Sequence, residues 1–97
     1  MNRYRNRSSL KSILSGAAAL VAVYCKDKIQ YKEVLEYLEY NEWGLAYNTL
    51  IELAEDAGCC FPVEFWLKLS IAADRMNLKE QANYCRKKIT EAEKIKE

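Results

Sequence analysis

The sequence has no histidine, and it contains only one proline and three glycines among its 97 residues. The missing histidine removes the usual general base, the usual activator of a nucleophile and the commonest metal ligand. No glycine-rich phosphate-binding loop is present either. An all-β fold would need many more turn residues than this chain contains. We therefore expect a helical protein that is not an enzyme and has no catalytic residue, metal site or cofactor.

Four cysteines are present, at Cys25, Cys59, Cys60 and Cys85. The adjacent pair lacks the gap of two or more residues that a zinc-binding pair requires. The even count would allow two disulfides. In a chain whose composition is 51% hydrophobic, buried free thiols in a reducing cytosol are the favoured interpretation.

The net charge of +1 conceals three blocks of different charge. Residues 1–32 carry seven bases and one acid (+6), residues 33–67 carry eight acids and no base (−8), and residues 68–97 carry eight bases and five acids (+3). Uneven charge of this kind says more about partners than about the fold. The acidic middle block would repel a phosphate backbone, so we expect no direct binding of nucleic acid.

Apolar residues recur at helical spacing in five segments, joined by short connectors. The predicted helices cover about 10–25, 30–41, 43–57, 62–76 and 78–92. Short connectors make consecutive helices antiparallel neighbours. The sequence therefore predicts an all-α fold in which residues 1–97 form one small bundle of about five antiparallel helices, or stacked αα-hairpins. Residues 1–8 are expected to form a flexible basic tail.

The first 25 residues also permit a second interpretation. A basic start followed by about a dozen apolar residues has the outline of a secretory signal. No clear cleavage site follows, and the apolar run is too short to span a bilayer. A core helix is favoured over an exported or membrane-tethered form, which stays open as an alternative.

The acidic block is the main candidate binding surface. On the second predicted helix, Tyr31, Val34, Leu35 and Leu38 are predicted to face the core, with Tyr37 and Tyr40 among the acids on the outer face. Tyrosine and tryptophan anchor protein interfaces, and acids steer association with a basic partner. A solvated helix face would explain the acids alone, and Trp43 is equally compatible with the core. The candidate binding residues are Glu33, Glu36, Glu39, Tyr40, Glu42 and Trp43, with Glu52, Glu55 and Asp56 as a second acidic strip.

The segment Val34–Ala46, VLEYLEYNEWGLA, together with Leu50, resembles the central signature of the MafI-like immunity proteins. In that family a helix that ends in an acidic stretch runs into Glu-Trp-Gly and then into an Ala/Leu helix. Pro62, which opens a helix that ends near Met76-Asn77-Leu78, also fits the layout of the family. The resemblance covers residues 30–78.

The resemblance implies a small cytoplasmic protein of bacterial polymorphic or contact-dependent toxin systems. Such proteins bind the C-terminal domain of a toxin, which in this family is often an EndoU-type RNase. The expected partner is therefore a nuclease domain with a basic cleft, bound by a monomer that contacts neither nucleic acid nor membrane. The alternative function is a helical-hairpin adaptor that joins proteins and inhibits nothing.

Overall fold

The computed structural model describes residues 2–57 and 61–96, with side chains described for 10–56 and 61–93. It contains five helices and, over these residues, no strand. They are α1 (Asn2–Cys25), α2 (Ile29–Glu39), α3 (Trp43–Ala57), α4 (Val63–Arg75) and α5 (Lys79–Lys96). The prediction of an all-α bundle of about five helices is confirmed.

Two of the predicted helices are too short. Helix α1 begins at Asn2 instead of near residue 10, so the backbone of residues 2–8 is helical. The predicted flexibility of that segment stays a prediction. Helix α5 runs to Lys96, past the predicted end near residue 92. Both extensions are rich in charged residues, and so they carry too little apolar period to be recognised as helix from the sequence.

Helix α1 lies at the centre of the bundle. It packs against α2, α3 and α4, while α2 packs on α3 and α4 packs on α5. Small and branched side chains on α1 allow three helices to pack closely against it. The buried members of this face are Leu14, Ala17, Ala18, Val21 and Cys25. At Gly16 an added Cβ would lie 3.3 Å from Cε of Lys68, so the lysine stem covers this point of α1. The predicted core helix of the N-terminal segment is thus present.

The core combines large apolar side chains with one polar pair. Its largest fully buried members include Tyr47, Phe65, Leu14, Leu50, Leu53 and Leu69. The hydroxyl of Tyr47 lies 3.3 Å from Sγ of Cys85, and either group can donate the hydrogen bond. A buried hydroxyl without a partner would be costly. The bond therefore satisfies Tyr47 and connects α3 to α5.

The first helical hairpin turns at Asn41, which adopts the left-handed conformation with φ 61°. The amide of Asn41 donates to the carbonyl of Leu38 at 3.3 Å, and the amide of Glu42 donates to that of Tyr37 at 2.8 Å. This is a Schellman motif, in which asparagine replaces the usual glycine. The break predicted near residue 41 is therefore a defined C-terminal cap of α2.

The second hairpin repeats the same turn 36 positions later. Asn77 has φ 62°. The backbone amide of Asn77 donates to the backbone carbonyl of Asp74 at 3.1 Å, and that of Leu78 donates to the carbonyl of Ala73 at 2.8 Å. The two turns share the residue type, the backbone angle and the hydrogen-bond pattern. Helices α2 and α3, and helices α4 and α5, therefore form two αα-hairpins of like construction.

A row of aromatic rings connects the ends of three helices. Tyr24 of α1 lies 5.6 Å from Phe61 between ring centroids, and Phe61 lies 4.9 Å from Phe65. Phe65 contacts Trp66 at 5.1 Å, and Trp66 contacts Tyr84 of α5 at 6.1 Å. The contacts from Phe61 onward are edge-to-face, which is the geometry that aromatic pairs prefer. The row holds α1, α4 and α5 together on one side of the bundle.

Candidate acidic docking surface

Helix α2 directs its acids away from the core. Val34 and Leu38 are the buried residues of α2. At 3.6 residues per turn, the glutamates lie on the opposite side of the helix from these two residues. All three of Glu33, Glu36 and Glu39 are exposed. Their carboxylates take part in no hydrogen bond or ion pair with the described residues of the chain. They are free to accept hydrogen bonds from a basic partner.

Tyr40 stands at the end of this face. It is 70% exposed and forms the C-terminal cap of α2. A tyrosine this exposed in the free chain leaves its ring and hydroxyl available for contact. Its placement agrees with the outer position predicted from the sequence.

Leu35 and Tyr37 are placed differently from the prediction. Leu35 was predicted to face the core but is 47% exposed, whereas Tyr37 was predicted to face outward but packs partly buried against the core. Both positions lie about 80° from the midpoint between Val34 and Leu38, on opposite sides of the helix. Spacing alone therefore leaves either residue at the boundary, and the packed neighbours decide which one is covered.

Glu42 and Trp43 lie where the turn enters α3. Glu42 is exposed, and its carbonyl accepts the hydrogen bond of the Ala46 amide at 3.0 Å. An acid at this end is favourable because the N-terminus of a helix carries partial positive charge. Trp43 is half-buried and packs against the core. Both residues thus contribute to the hairpin itself as well as to its surface.

The second acidic strip lies on the outer face of α3, and all three of its members, Glu52, Glu55 and Asp56, are exposed. The hydroxyl of Tyr84 donates to Oε2 of Glu55 at 3.0 Å. The ammonium of Lys88 lies 5.4 Å from the centroid of the Tyr84 ring. Burial, together with this bond to Glu55, raises the pKa of Tyr84. One of the three acids of the strip, Glu55, is therefore already bound at the surface by a side chain of α5.

All nine candidate residues lie on the α2–α3 hairpin, but they differ in whether they contact other residues of the chain. Glu33, Glu36, Glu39 and Tyr40 form an outer face on α2 that has no internal partner among the described residues. Sequence reasoning missed the contact between Glu55 and Tyr84, because these residues are 29 positions apart and meet only through the packing of α3 near α5. It also missed Leu35 and Leu45 as exposed apolar neighbours of the acids, at 47% and 46% exposure.

Cys25 and Cys85 are buried free thiols, as predicted. The thiol of Cys25 donates to the carbonyl of Val21 at 3.2 Å. Burial raises the pKa of both thiols, although the hydrogen bond with Tyr47 and the charge of Arg86 oppose this at Cys85. Both stay protonated at neutral pH and are poor nucleophiles. Cys59 and Cys60 lie outside the described residues.

Metal-binding clusters and membrane-spanning helices are both absent from the part of the chain that the structure describes. No group of three or more His, Cys, Asp or Glu side chains there is arranged to hold a metal ion. None of its helices combines the length and the apolar character needed to cross a bilayer. No protein-family model, curated protein or solved structure matches the chain.

Proposed function

We propose that this chain is an immunity protein, which binds and neutralises the nuclease domain of a cognate bacterial toxin. The observation that carries the proposal is the outer face of α2, where exposed carboxylates and Tyr40 have no partner among the described residues. The resemblance of residues 34–46 to the MafI-like immunity proteins supports the same function and suggests an EndoU-type RNase as the target.

The proposed mechanism is occlusion of the RNA-binding cleft. A nuclease that binds RNA presents lysine and arginine side chains to the phosphates of its substrate. Carboxylates on α2, with those of Glu42 and of the α3 strip, would occupy the same basic groups, and Tyr40 and Trp43 would contact the surface that receives bases. Complementary charge accelerates such an encounter, and aromatic anchors slow dissociation. Inhibition then needs no catalytic residue and no cofactor in the inhibitor.

In this proposal the chain acts as a monomer in the bacterial cytoplasm, where it meets the toxin domain before any RNA is cut. It binds neither nucleic acid nor membrane directly. The gene is expected to follow immediately after a large open reading frame that encodes the toxin.

The test is co-purification with the toxin domain encoded immediately upstream, followed by RNA cleavage with and without this chain. A stable complex that stops cleavage is the expected result. A stable complex that still cuts RNA would remove the inhibitory role but keep the partner. Absence of any complex would overturn the proposal.

The second candidate function is a helical-hairpin adaptor without inhibitory activity. It is favoured by the two hairpins of like construction, whose Schellman turns at Asn41 and Asn77 lie 36 residues apart. That spacing is close to the length of common helical-hairpin repeats. An adaptor would bind its partner and leave the partner's activity unchanged, so the cleavage assay separates the two functions.

A further inference from the structure

Two exposed apolar side chains lie beside the acids of α2, Leu35 at the edge of the outer face and Tyr40 on it. Leu35 is 47% exposed and Tyr40 is 70% exposed. Leu35 and Glu39 are four residues apart, as are Glu36 and Tyr40, and side chains at this spacing are neighbours on a helix. The four residues therefore form one contiguous patch, in which two apolar groups border two carboxylates.

The charges of this patch oppose the stability of the free chain. Glu36 and Glu39 are three residues apart, so the two like charges repel each other. Both lie at the C-terminal end of α2, where the helix dipole is negative and no basic residue stands in the last turn. Lys32, one turn before Glu36, forms no ion pair with it in the structure.

Two other acids of the hairpin have a function within the fold. Glu42 lies at the positive end of α3, and Glu55 accepts the hydrogen bond of Tyr84. Such internal uses are absent for Glu36 and Glu39 among the described residues. An unpaired acidic pair beside exposed apolar groups is complementary to a surface that is basic and apolar at once.

We propose that the patch of Leu35, Glu36, Glu39 and Tyr40 is the centre of the docking surface and fits one kind of partner. That partner is a folded protein with a cluster of lysine or arginine that is flanked by apolar surface. Around the helix the order is Leu35, Glu39, Glu36 and Tyr40, so the two carboxylates pair with the basic cluster while Leu35 and Tyr40 pack on the apolar surface on either side of it. The inference rests on the proposed function and specifies the part of the nuclease domain that is recognised.

A membrane or a nucleic acid does not suit this patch. Anionic headgroups and phosphates would be repelled by Glu36 and Glu39. A free polycation would pair with the acids but would gain nothing from Leu35. Only a partner with both features uses all four side chains.

The test measures binding kinetics with the upstream-encoded toxin domain as the immobilised probe. Leu35→Gln and Tyr40→Ala are each expected to raise the dissociation rate about tenfold or more, as for anchor residues. Glu36→Gln with Glu39→Gln is expected to lower the association rate about tenfold at low salt and to flatten its dependence on salt. The matched controls are Leu67→Gln and Glu80→Gln, which change exposed residues on α4 and α5 and should stay within about twofold of the unmodified chain.

Chemical denaturation of the free chain provides a readout without the toxin. The variant Glu36→Gln with Glu39→Gln should unfold at a higher denaturant midpoint than the unmodified chain at low salt, because repulsion is removed. A variant that is more stable yet binds more weakly supports the proposal, and a lower midpoint would contradict the electrostatic argument.

The outcomes separate the two claims. If the unmodified chain binds the toxin domain and all four changes leave the kinetics unaltered, the docking surface is wrong while the proposed function stands. If the unmodified chain forms no complex, the proposed function fails and this surface fails with it.

Discussion

The two αα-hairpins share a turn and differ in what they do with charge. In the α4–α5 hairpin, Arg86 pairs with Asp74 and Lys88 pairs with Glu91 at 3.9 Å. In the α2–α3 hairpin the acids of α2 have no ion pair among the described residues, and Glu55 of α3 accepts a hydrogen bond from Tyr84 of α5. The same backbone construction thus supports a surface with internal ion pairs in one half and an open acidic surface in the other.

This difference separates residues that the backbone of the turns requires from residues that the fold does not require. The turns at Asn41 and Asn77 follow from local backbone geometry, which is alike in both hairpins. The acids of α2 do not follow from backbone geometry, because Glu36 and Glu39 oppose the helix dipole and repel each other. In the proposed function the α4–α5 half is therefore the scaffold, and the outer face of α2 is the docking surface.

The largest expected effect concerns the scaffold. Phe65 is fully buried and contacts the rings of Phe61 and Trp66. Phe65→Ala removes these contacts and leaves a cavity, so the free energy of unfolding should fall by about 3–5 kcal/mol. Chemical denaturation measures the loss, with Leu67→Ala on the exposed side of α4 as the control. A loss below about 1 kcal/mol would mean that the aromatic row does not hold the scaffold.

The next effect is a loss of stability at alkaline pH, which tests the contribution of the buried pair Tyr47 and Cys85 between α3 and α5. Burial raises the pKa values of Tyr47, Cys85 and Cys25 above those of the unfolded chain. Below the unfolded pKa values both states hold these protons, so stability does not depend on them. At higher pH the unfolded state loses protons that the folded state keeps, and stability falls by up to about 1.4 kcal/mol per pH unit for each group.

Denaturation midpoints measured between pH 7 and 10.5 check this prediction. Tyr47→Phe should reduce the slope above pH ~10, where an unperturbed tyrosine titrates. It also removes the hydroxyl that meets Cys85. An unchanged slope in this variant would show that Tyr47 does not contribute to the alkaline loss.

A smaller effect tests whether the two turns are equivalent. Asn41 and Asn77 hold left-handed backbone angles that alanine adopts at a cost of about 1–2 kcal/mol. Asn41→Ala and Asn77→Ala should therefore lower stability by similar amounts, each about 1 kcal/mol, since asparagine itself is only partly adapted to this conformation. Glycine at either position should restore stability. Unequal losses of stability would show that the two turns are not equivalent.

The smallest effect contrasts single charges in the two hairpins. Arg86→Gln removes the exposed ion pair with Asp74, which lies in the last turn of α4, and should lower stability by about 0.2–1 kcal/mol. Glu39→Gln removes an acid at the negative end of α2 and should raise stability by about 0.3 kcal/mol or more at low salt. Both changes are measured by denaturation at two salt concentrations. Changes of the same sign would contradict the division into a scaffold and an open acidic surface.

Much of the fold follows from local pattern. The apolar period located all five helices, and the polar breaks at Asn41 and Asn77 located both turns, because each feature depends on residues close in sequence. The start of α1 was missed, since its first turns contain Arg3, Arg5 and Arg7 and no apolar stripe. Helix boundaries in charged segments leave little hydrophobic signal.

The candidate site was predictable only in part. The exposure of Glu33, Glu36 and Glu39 follows from helical spacing against Val34 and Leu38. The exposure of Leu35 depends on which neighbour covers the edge of the helix. The bond between Tyr84 and Glu55 depends on helices brought together by the whole bundle, so no spacing rule reaches it.

The measurement that tests the central claim most directly is RNA cleavage by the upstream-encoded toxin domain, titrated with this chain. We expect cleavage to stop near one molar equivalent, and we expect Tyr40→Ala to shift the titration to higher concentration while Leu67→Gln does not. Full cleavage in the presence of excess chain would rule out the proposed immunity function.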